Sequence, residues 1–307
     1  MIQFVEYKNI DKHKWDDCIS KCTHPSIFVY SWYLDIVTEC SWCALISNDY
    51  EAVFPFFTKS KYGCKYVFQP FFTRYFGVYS VKPFNENLVR DFLDSIPPKF
   101  RYIEFCLNES NNLIKRKSEV LNEKKYQILN LDSSYDNIRK EYSENARRAI
   151  KKSLKNNFDI RANIEPDKIV SLFKSTKGDD LNTFKDSDYK ILINLMNYCL
   201  LNKIGISYAV YEENLLVAAA FFMFNNQTYT YLKSGLTESG KTKGAMYLLI
   251  DHFIQKNSEK NQYLDFGGSS VENVAQFYKK FGAKDCVYLQ VKKNDLPLLA
   301  RLVKKQK

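Results

Sequence analysis

YLDFGGSSVENVAQFYKKFGA, residues 263–283, is the most informative stretch of this sequence. Apolar and aromatic residues at 263–266 predict a short strand, the two glycines predict a turn, and the spacing over 271–280 predicts a helix. In open α/β sheets, ligands collect where strands end and helices begin. The stretch therefore predicts an α/β fold with a candidate site at the turn. The alternative is that Phe277, Tyr278 and Phe281 simply form one apolar helix face.

The segments around this stretch alternate between strand and helix patterns. The second half of the chain follows the order β, αα, βββ, α, β, α, β, with an antiparallel meander of three strands between 206 and 233. The first half follows a looser version of the same order. These patterns predict an α/β protein with domains at 1–133 and 134–307, each a mixed, mainly antiparallel sheet flanked by helices. One long helix over 135–156 is expected to join them.

Composition excludes several classes of protein. The 307 residues are 45% hydrophobic and 16% aromatic with a net charge of +10, which excludes a fibrous or disordered chain. The longest apolar run, 215–224, is about half as long as the ~20 residues of a membrane helix, so it predicts a buried strand. Residues 1–7 lack the pattern of a signal peptide, so we expect a cytoplasmic protein. The basic residues 304–307 would favour peripheral association with anionic membrane lipid or nucleic acid; we expect no DNA partner.

Cysteine and histidine give little support to a metal or redox site. Cys40 and Cys43 form a Cys-x-x-Cys motif, and no second pair completes a zinc set. The three histidines are scattered along the chain. The eight cysteines suit a reducing compartment, where they are expected to be ordinary buried thiols, and we expect no metal.

The end of the opening stretch resembles a family motif. Tyr278, Lys280 and Gly282 match the Tyr-x-Lys-x-Gly motif that closes the domain of the GNAT acyltransferase superfamily. The resemblance implies tandem GNAT-like domains, and it implies that Tyr278 protonates the departing thiolate of coenzyme A. A phenol with an ordinary pKa of ~10 stays protonated at neutral pH, so this role is chemically sound.

A basic turn upstream is a candidate for binding the acyl carrier. Residues 237–245 follow a strand and lead into a helix, where free backbone amides and the helix dipole favour a phosphate. The resemblance implies that Lys241, Lys243, Gly244 and Ala245 grip the pyrophosphate of acyl-CoA, such as acetyl-CoA. The alternative is an ordinary basic turn, since the GxxxxGK phosphate loop is absent.

Over nearly the whole chain, the pattern is similar to the Fem-type branch of this superfamily, the FemAB-like enzymes that build peptidoglycan bridges. The matching stretches are 26–32, 69–77, 143–152, 244–251 and 264–283. Fem-type members have Phe-Lys-x-x-Phe-Gly where this chain has Tyr278, so the lysine implicated with aminoacyl-tRNA moves to Lys279. Gly267 stands where related members have a glutamate, which leaves Asp265 as the nearest carboxylate. This resemblance makes aminoacyl-tRNA the alternative donor.

Basic and aromatic side chains elsewhere are candidate substrate contacts. Arg147, Arg148 and Lys151 lie on one face of the predicted joining helix, which suits a pyrophosphate or an RNA backbone. A solvated basic face is the alternative. Lys185 and Tyr189 resemble an Arg-x-x-x-Tyr pair that contacts a nucleotide-linked precursor in some Fem-type enzymes.

Together these observations predict an acyltransferase with its chemistry in the second domain and an acceptor site shaped by the first. The acyl group would pass to a primary amine of a small-molecule, nucleotide-linked or cell-envelope precursor. Tyr278 is the candidate acid, and Asp265 acting through water is the candidate base. The amides of Leu232, Lys233 and Ser234 are the candidate oxyanion donors. The alternative from another class is a non-catalytic binding protein that keeps the fold as a scaffold.

Overall fold

The computed structural model describes residues 1–61, 63–117, 119–178, 184–267 and 272–296. The chain forms two units, one of Met1–Lys124 with the chain from Val287 onward, and one of Lys125–Cys286. The basic residues 304–307 and part of the glycine turn, 268–271, lie outside the described residues. The functional roles assigned to 1–133 and 134–307 stay predictions.

Strands and helices alternate along the described residues, which confirms the predicted α/β class. In chain order the elements are β1 (Ile2–Glu6), α1 (Lys12–Lys21), α2 (Ser31–Thr38), β2 (Cys43–Ser47), β3 (Ala52–Lys61), β4 (Cys64–Phe68), β5 (Tyr79–Ser80), α3 (Glu86–Asp94), β6 (Phe100–Cys106), β7 (Glu119–Asn130), α4 (Tyr135–Lys140), α5 (Glu144–Ser153), β8 (Phe158–Ala162), α6 (Pro166–Phe173), α7 (Asp186–Leu201), β9 (Gly205–Glu212), β10 (Leu215–Asn225), β11 (Thr228–Leu236), α8 (Glu238–Lys243), α9 (Ala245–Asn257), β12 (Tyr263–Asp265), α10 (Glu272–Lys279) and β13 (Lys284–Asn294). The predicted meander is confirmed as β9, β10 and β11. Within the described part of the chain, no helix is long and apolar enough to cross a membrane.

The sheet of the first unit has the strand order β1-β2-β3-β4-β6-β13, with β5 also paired to β3. Strands β4 and β6 run parallel, and the other neighbours are antiparallel. Its core is strongly aromatic, because Trp15, Trp42, Phe54 and Phe76 are at most 1% exposed. Aromatic side chains each bury a large apolar area, so a few of them supply much of the core.

The sheet of the second unit has the order β8-β9-β10-β11-β12-β7. Again one neighbouring pair, β11 and β12, is parallel, and the rest are antiparallel. Helix α9 covers one face, where the Phe253 ring stacks on Phe222 of β10 at a centroid distance of 3.9 Å. The two units therefore repeat one plan, as the looser order of the first half predicted.

The last strand of each sheet comes from the other half of the sequence. The strand predicted at 126–131 to close the first half belongs to β7, and its residues 128–130 pair with β12 of the second unit. The strand predicted at 287–291 to complete the second half belongs to β13, and residues 290–294 pair with β6 of the first unit. Pairing between strands depends on contacts distant in sequence, so the local pattern identified each strand but not the sheet that it joins.

The single long helix predicted over 135–156 is wrong, because the structure has two helices, α4 and α5, at this place. Ser143 caps the second helix: its hydroxyl accepts a hydrogen bond from the Ala146 amide, and its own amide donates to the Lys280 carbonyl at 2.9 Å. A Cβ added at Gly282 would lie 2.9 Å from the Cβ of Glu141, so the turn after α10 packs tightly on this break. A tertiary contact therefore breaks the helix at Ser143, although the helical spacing of apolar residues runs on through this point of the sequence.

Candidate active site

Two parallel strands of the second unit separate at their ends. The pairing of β11 with β12 covers three residues and ends at Thr230, opposite Asp265. From there to Leu236, β11 has β10 as its only strand neighbour among the described residues. Because successive backbone amides of a strand point to opposite edges, part of this segment presents N–H groups to an open edge.

A β-bulge follows directly after the separation. Tyr231 and Lys233 pair with successive residues of β10, so Leu232 has no partner on that strand. A bulge leaves its extra residue unpaired and increases the local twist. The predicted oxyanion donors, the amides of Leu232, Lys233 and Ser234, therefore lie where the ladder of β11 is disrupted.

Tyr278, the predicted acid, lies at the same separation. Its ring stacks on Phe266 at a centroid distance of 4.6 Å and meets the edge of Tyr231 at 5.9 Å. Tyr278 is only 7% exposed, and this burial, followed by the charges of Tyr231 and Asp265, raises the pKa of its hydroxyl well above the ordinary value. Tyr278 therefore belongs to the apolar face of α10 and also adjoins the residues at which β11 and β12 part, and its role as an acid stays a prediction.

The carboxylate of Asp265 shapes the turn after β12. The residue is 4% exposed, and its Oδ1 accepts a hydrogen bond from the Gly267 amide at 2.8 Å. Gly267 has a φ of 81°, a region that favours glycine. The role of Asp265 as a base stays a prediction.

The turn predicted to hold a pyrophosphate is helical rather than an open loop. Helix α8 occupies it, and the hydroxyl of Thr237 caps this helix by accepting a hydrogen bond from the Gly240 amide at 3.0 Å. Gly244, with a φ of 80°, separates α8 from α9. A Cβ added there would lie 3.0 Å from the carbonyl oxygen of Ala149, so the glycine allows α5 to pack closely. Ala245, also predicted to touch the carrier, is part of the buried core.

The lysines of this segment have acidic partners. Lys241 pairs with Glu238 at 3.1 Å in a largely exposed ion pair, which contributes little. Lys243 pairs with Glu212 at 2.5 Å, and both side chains are partly buried. A phosphate bound here would have to compete with these carboxylates.

Lys279, the lysine that the resemblance links to aminoacyl-tRNA, is also ion-paired. Its Nζ lies 2.7 Å from Oδ2 of Asp285, which accepts a further hydrogen bond from Gln127 at 2.9 Å through Oδ1. These two contacts lower the pKa of the Asp285 carboxyl. The Lys279 charge is therefore balanced by a carboxylate that stays ionised.

The predicted substrate contacts lie on two different helices. Arg147, Arg148 and Lys151 are exposed on α5, and Arg148 pairs with Glu144 at 3.1 Å. Lys185 is exposed at the start of α7, whereas Tyr189 is 7% exposed and packs among other rings. Their contacts with substrate stay predictions.

An aromatic cluster beside the bulge was missed in the sequence. The Nζ of Lys233 lies 3.9 Å from the ring centroid of Phe173 and 5.0 Å from that of Phe184. The ring of Tyr189 lies 6.3 Å and 5.9 Å from the same two rings. Aromatic faces attract an ammonium group, so this cluster fixes the Lys233 side chain. The apolar spacing of α6 signalled that Phe173 is buried, but it did not identify its partner.

A buried carboxylate on α9 was also missed. Asp251 is 8% exposed, and the Tyr135 hydroxyl lies 2.9 Å from each of its oxygens. Burial raises the pKa of the Asp251 carboxyl, and the hydrogen bond from Tyr135 opposes this rise. The signal in the sequence was an aspartate within the apolar run Leu-Leu-Ile-Asp-His-Phe-Ile of residues 248–254.

The raised pKa of Asp251 predicts a pH-dependent stability. Because the folded chain holds this proton more tightly than the unfolded chain, its contribution is full below the ordinary aspartate pKa of ~4 and is lost as the pH rises through the folded value. We expect Asp251→Asn, which keeps an acceptor for Tyr135, to lose less unfolding free energy than the wild type between about pH 4 and about pH 7. Urea unfolding at both pH values measures this, and equal losses in the two proteins would contradict it.

Comparison with known proteins identifies the fold through structure. No protein-family model and no curated protein sequence matches the chain. The crystal structure of FemX matches with a TM-score of 0.61 and 10% identity, over 94% of this chain and 96% of that one. A conserved protein of unknown function from Bacteroides thetaiotaomicron matches with a TM-score of 0.60 and 13% identity, over 96% and 100%. L-PGS from Bacillus licheniformis matches with a TM-score of 0.52 and 11% identity, over 95% of each chain.

At these identities the likeness concerns the fold alone. It extends over nearly the full length of all three proteins. The predicted fold is confirmed: this chain has a GNAT/Fem-like fold.

Proposed function

We propose that this protein is an N-acyltransferase that moves an acyl group to a primary amine, with the chemistry in the second unit. The separation of β11 from β12, with the bulge at Leu232 directly beyond it, carries the proposal. An acyl carbonyl placed against this open edge would lie beside the backbone of β11 and near the Tyr278 ring, which contacts Tyr231 of that strand.

Each step of acyl transfer requires a group for which this arrangement offers a candidate. Attack by the amine nitrogen turns the carbonyl oxygen into an oxyanion, and the amides of Leu232, Lys233 and Ser234 are our candidates to stabilise it. When the bond to the carrier breaks, the leaving atom takes the electron pair and needs a proton, which we assign to the Tyr278 hydroxyl. The attacking amine releases a proton to water, and Asp265 is the nearest candidate to accept it.

The donor predicted from the motif at Tyr278 is acyl-CoA, and it would supply an activated carbonyl. The reacting end of the site suits such a donor, because a strand edge without a neighbour among the described residues and a buried phenol lie close together. The carrier end suits it less well, because α8 fills the predicted phosphate turn and Lys243 is paired with Glu212. The rings of Tyr247 and Phe277, 4.9 Å apart, also pack between α9 and α10.

These contacts at the carrier end favour aminoacyl-tRNA as the second candidate donor. A tRNA would place its acylated end at the separation of β11 and β12 and would need no phosphate loop at α8. The acceptor under either donor is a primary amine of a small-molecule, nucleotide-linked or cell-envelope precursor. Cytoplasmic residence is consistent with both donors and is part of the proposal.

Binding measurements with the purified full chain separate the donors. Isothermal titration with acetyl-CoA is paired with a filter-binding assay on aminoacylated tRNA. Micromolar binding of acetyl-CoA that is weakened by Lys243→Met, but not by Lys256→Met at an exposed position of α9, would support acyl-CoA and the predicted turn. Binding of the tRNA alone would assign the second donor. Binding of neither would contradict the proposed function and support the non-catalytic binding protein.

A further inference from the structure

Helix α5 presents a strongly basic outer face. Its inner face, formed by Ala146, Ile150 and Ser153, is buried against the rest of the second unit. The exposed cations on and directly after the helix are Arg147, Arg148, Lys151, Lys152 and Lys155. Glu144 is the one acidic residue on the helix, and it is paired with Arg148. The outer face therefore carries a clear excess of positive charge.

Two of these cations are available to a partner. The side chains of Lys151 and Lys155 have no hydrogen-bonding or acidic partner among the described residues. Lys152 reaches across to the Thr242 carbonyl at 3.1 Å, which ties this face to the end of α8. An anionic partner would not have to displace an internal carboxylate at Lys151 or Lys155.

An exposed leucine stands between these two lysines. Leu154, the residue directly after α5, is 65% exposed. The phosphates of a nucleic acid, which would attract these lysines, make no favourable contact with such a side chain. The interface of a lipid bilayer offers both partners, because anionic headgroups attract lysine while the acyl boundary accepts leucine.

We propose that the outer face of α5 docks on an anionic lipid bilayer, with Lys151 and Lys155 at the headgroups and Leu154 inserted between them. The contact is peripheral and reversible, since it rests on one helix end and a few charges. This inference does not depend on the acyl-transfer activity. It locates on α5 the membrane association that the basic residues 304–307 suggested, and those residues lie outside the described structure.

Vesicle co-sedimentation of the full chain tests this docking. Phosphatidylcholine vesicles are compared with vesicles that also contain anionic phosphatidylglycerol. We expect binding to the anionic vesicles only, and weaker binding in high salt, where surface charges are screened. Since each lysine near an anionic surface strengthens binding about fivefold, Lys151→Glu with Lys155→Glu should weaken it at least about 25-fold. Leu154→Ser should weaken it about tenfold.

Matched variants control for net charge and for a general loss of apolar surface. Lys190→Glu with Lys256→Glu makes the same charge change at exposed positions of α7 and α9, and Leu201→Ser removes a leucine that is 83% exposed. Both controls should bind like the wild type. Equal loss in the two double variants, or no preference for anionic vesicles, would overturn the proposal. If the protein binds tRNA through Lys151 and Lys155 and does not bind vesicles, the proposal is overturned and the partner of α5 is RNA.

Discussion

Replacement of Tyr278 by phenylalanine is expected to slow acyl transfer by about 10²–10⁴-fold, the usual contribution of a positioned general acid. The ring stack on Phe266 and the contact with Tyr231 need only the aromatic ring, so both should survive. Because the hydroxyl makes no hydrogen bond to another described residue, its removal should leave the free energy of unfolding nearly unchanged. A large kinetic loss without a loss of stability separates catalysis from packing.

The measurement is the single-turnover release of the acyl group from whichever donor binds. Tyr247→Phe is the matched control, since Tyr247 lies on the neighbouring helix and its hydroxyl accepts a hydrogen bond from Lys280 at 3.1 Å. We expect that variant to react like the wild type. Undiminished turnover in Tyr278→Phe would remove the acid from the proposed mechanism and leave the amides of the bulge as its main element.

The raised pKa of Tyr278 predicts the shape of the pH profile as well. A phenol whose pKa lies above its ordinary value keeps its proton as the pH rises. The acid is therefore present at neutral and mildly alkaline pH. We therefore expect the wild-type rate to show no alkaline decline from this group. An acid limb, where the amine nucleophile becomes protonated, should persist in Tyr278→Phe, since that limb belongs to the substrate.

Gly235→Val is expected to lower the free energy of unfolding by about 3 kcal/mol. Helix α6 packs directly on β11 at this residue: an added Cβ would lie 2.7 Å from the Leu172 Cγ and 2.7 Å from the Phe173 amide nitrogen. The second contact is with backbone, so the helix itself must move. Displacement of α6 would also draw Phe173 away from Lys233 and loosen the cluster beside the bulge.

Urea unfolding of the wild type, Gly235→Ala and Gly235→Val measures this clash. The alanine variant should be intermediate, because it introduces the Cβ atom but not the two methyl groups that valine carries on it. A valine variant within about 0.5 kcal/mol of the wild type, the range of an ordinary surface substitution, would show that α6 moves freely. That result would contradict a rigid contact between α6 and the bulged strand.

The main groups of the candidate site were predictable because each has a local signature. The meander pattern predicted β11, and the glycine turn after 266 predicted the end of β12. The aromatic spacing of 277–281 placed Tyr278 on α10. The structure brings the end of β12 and Tyr278 close to the bulge at Leu232. The partners of the charged residues were not predictable, since the carboxylates that pair with Lys243 and Lys279 come from β9 and β13.

By itself, the sequence determined the elements of this protein and their local order, because apolar periodicity, turn residues and caps act over a few residues. Only the tertiary structure decided which strands became neighbours. It placed β7 beside β12 and β13 beside β6, it interrupted the helix at Ser143, and it buried Asp251 against Tyr135. Each of these depends on a contact between residues far apart in the chain, and the free energy of such a contact leaves no periodic trace in the sequence around either partner.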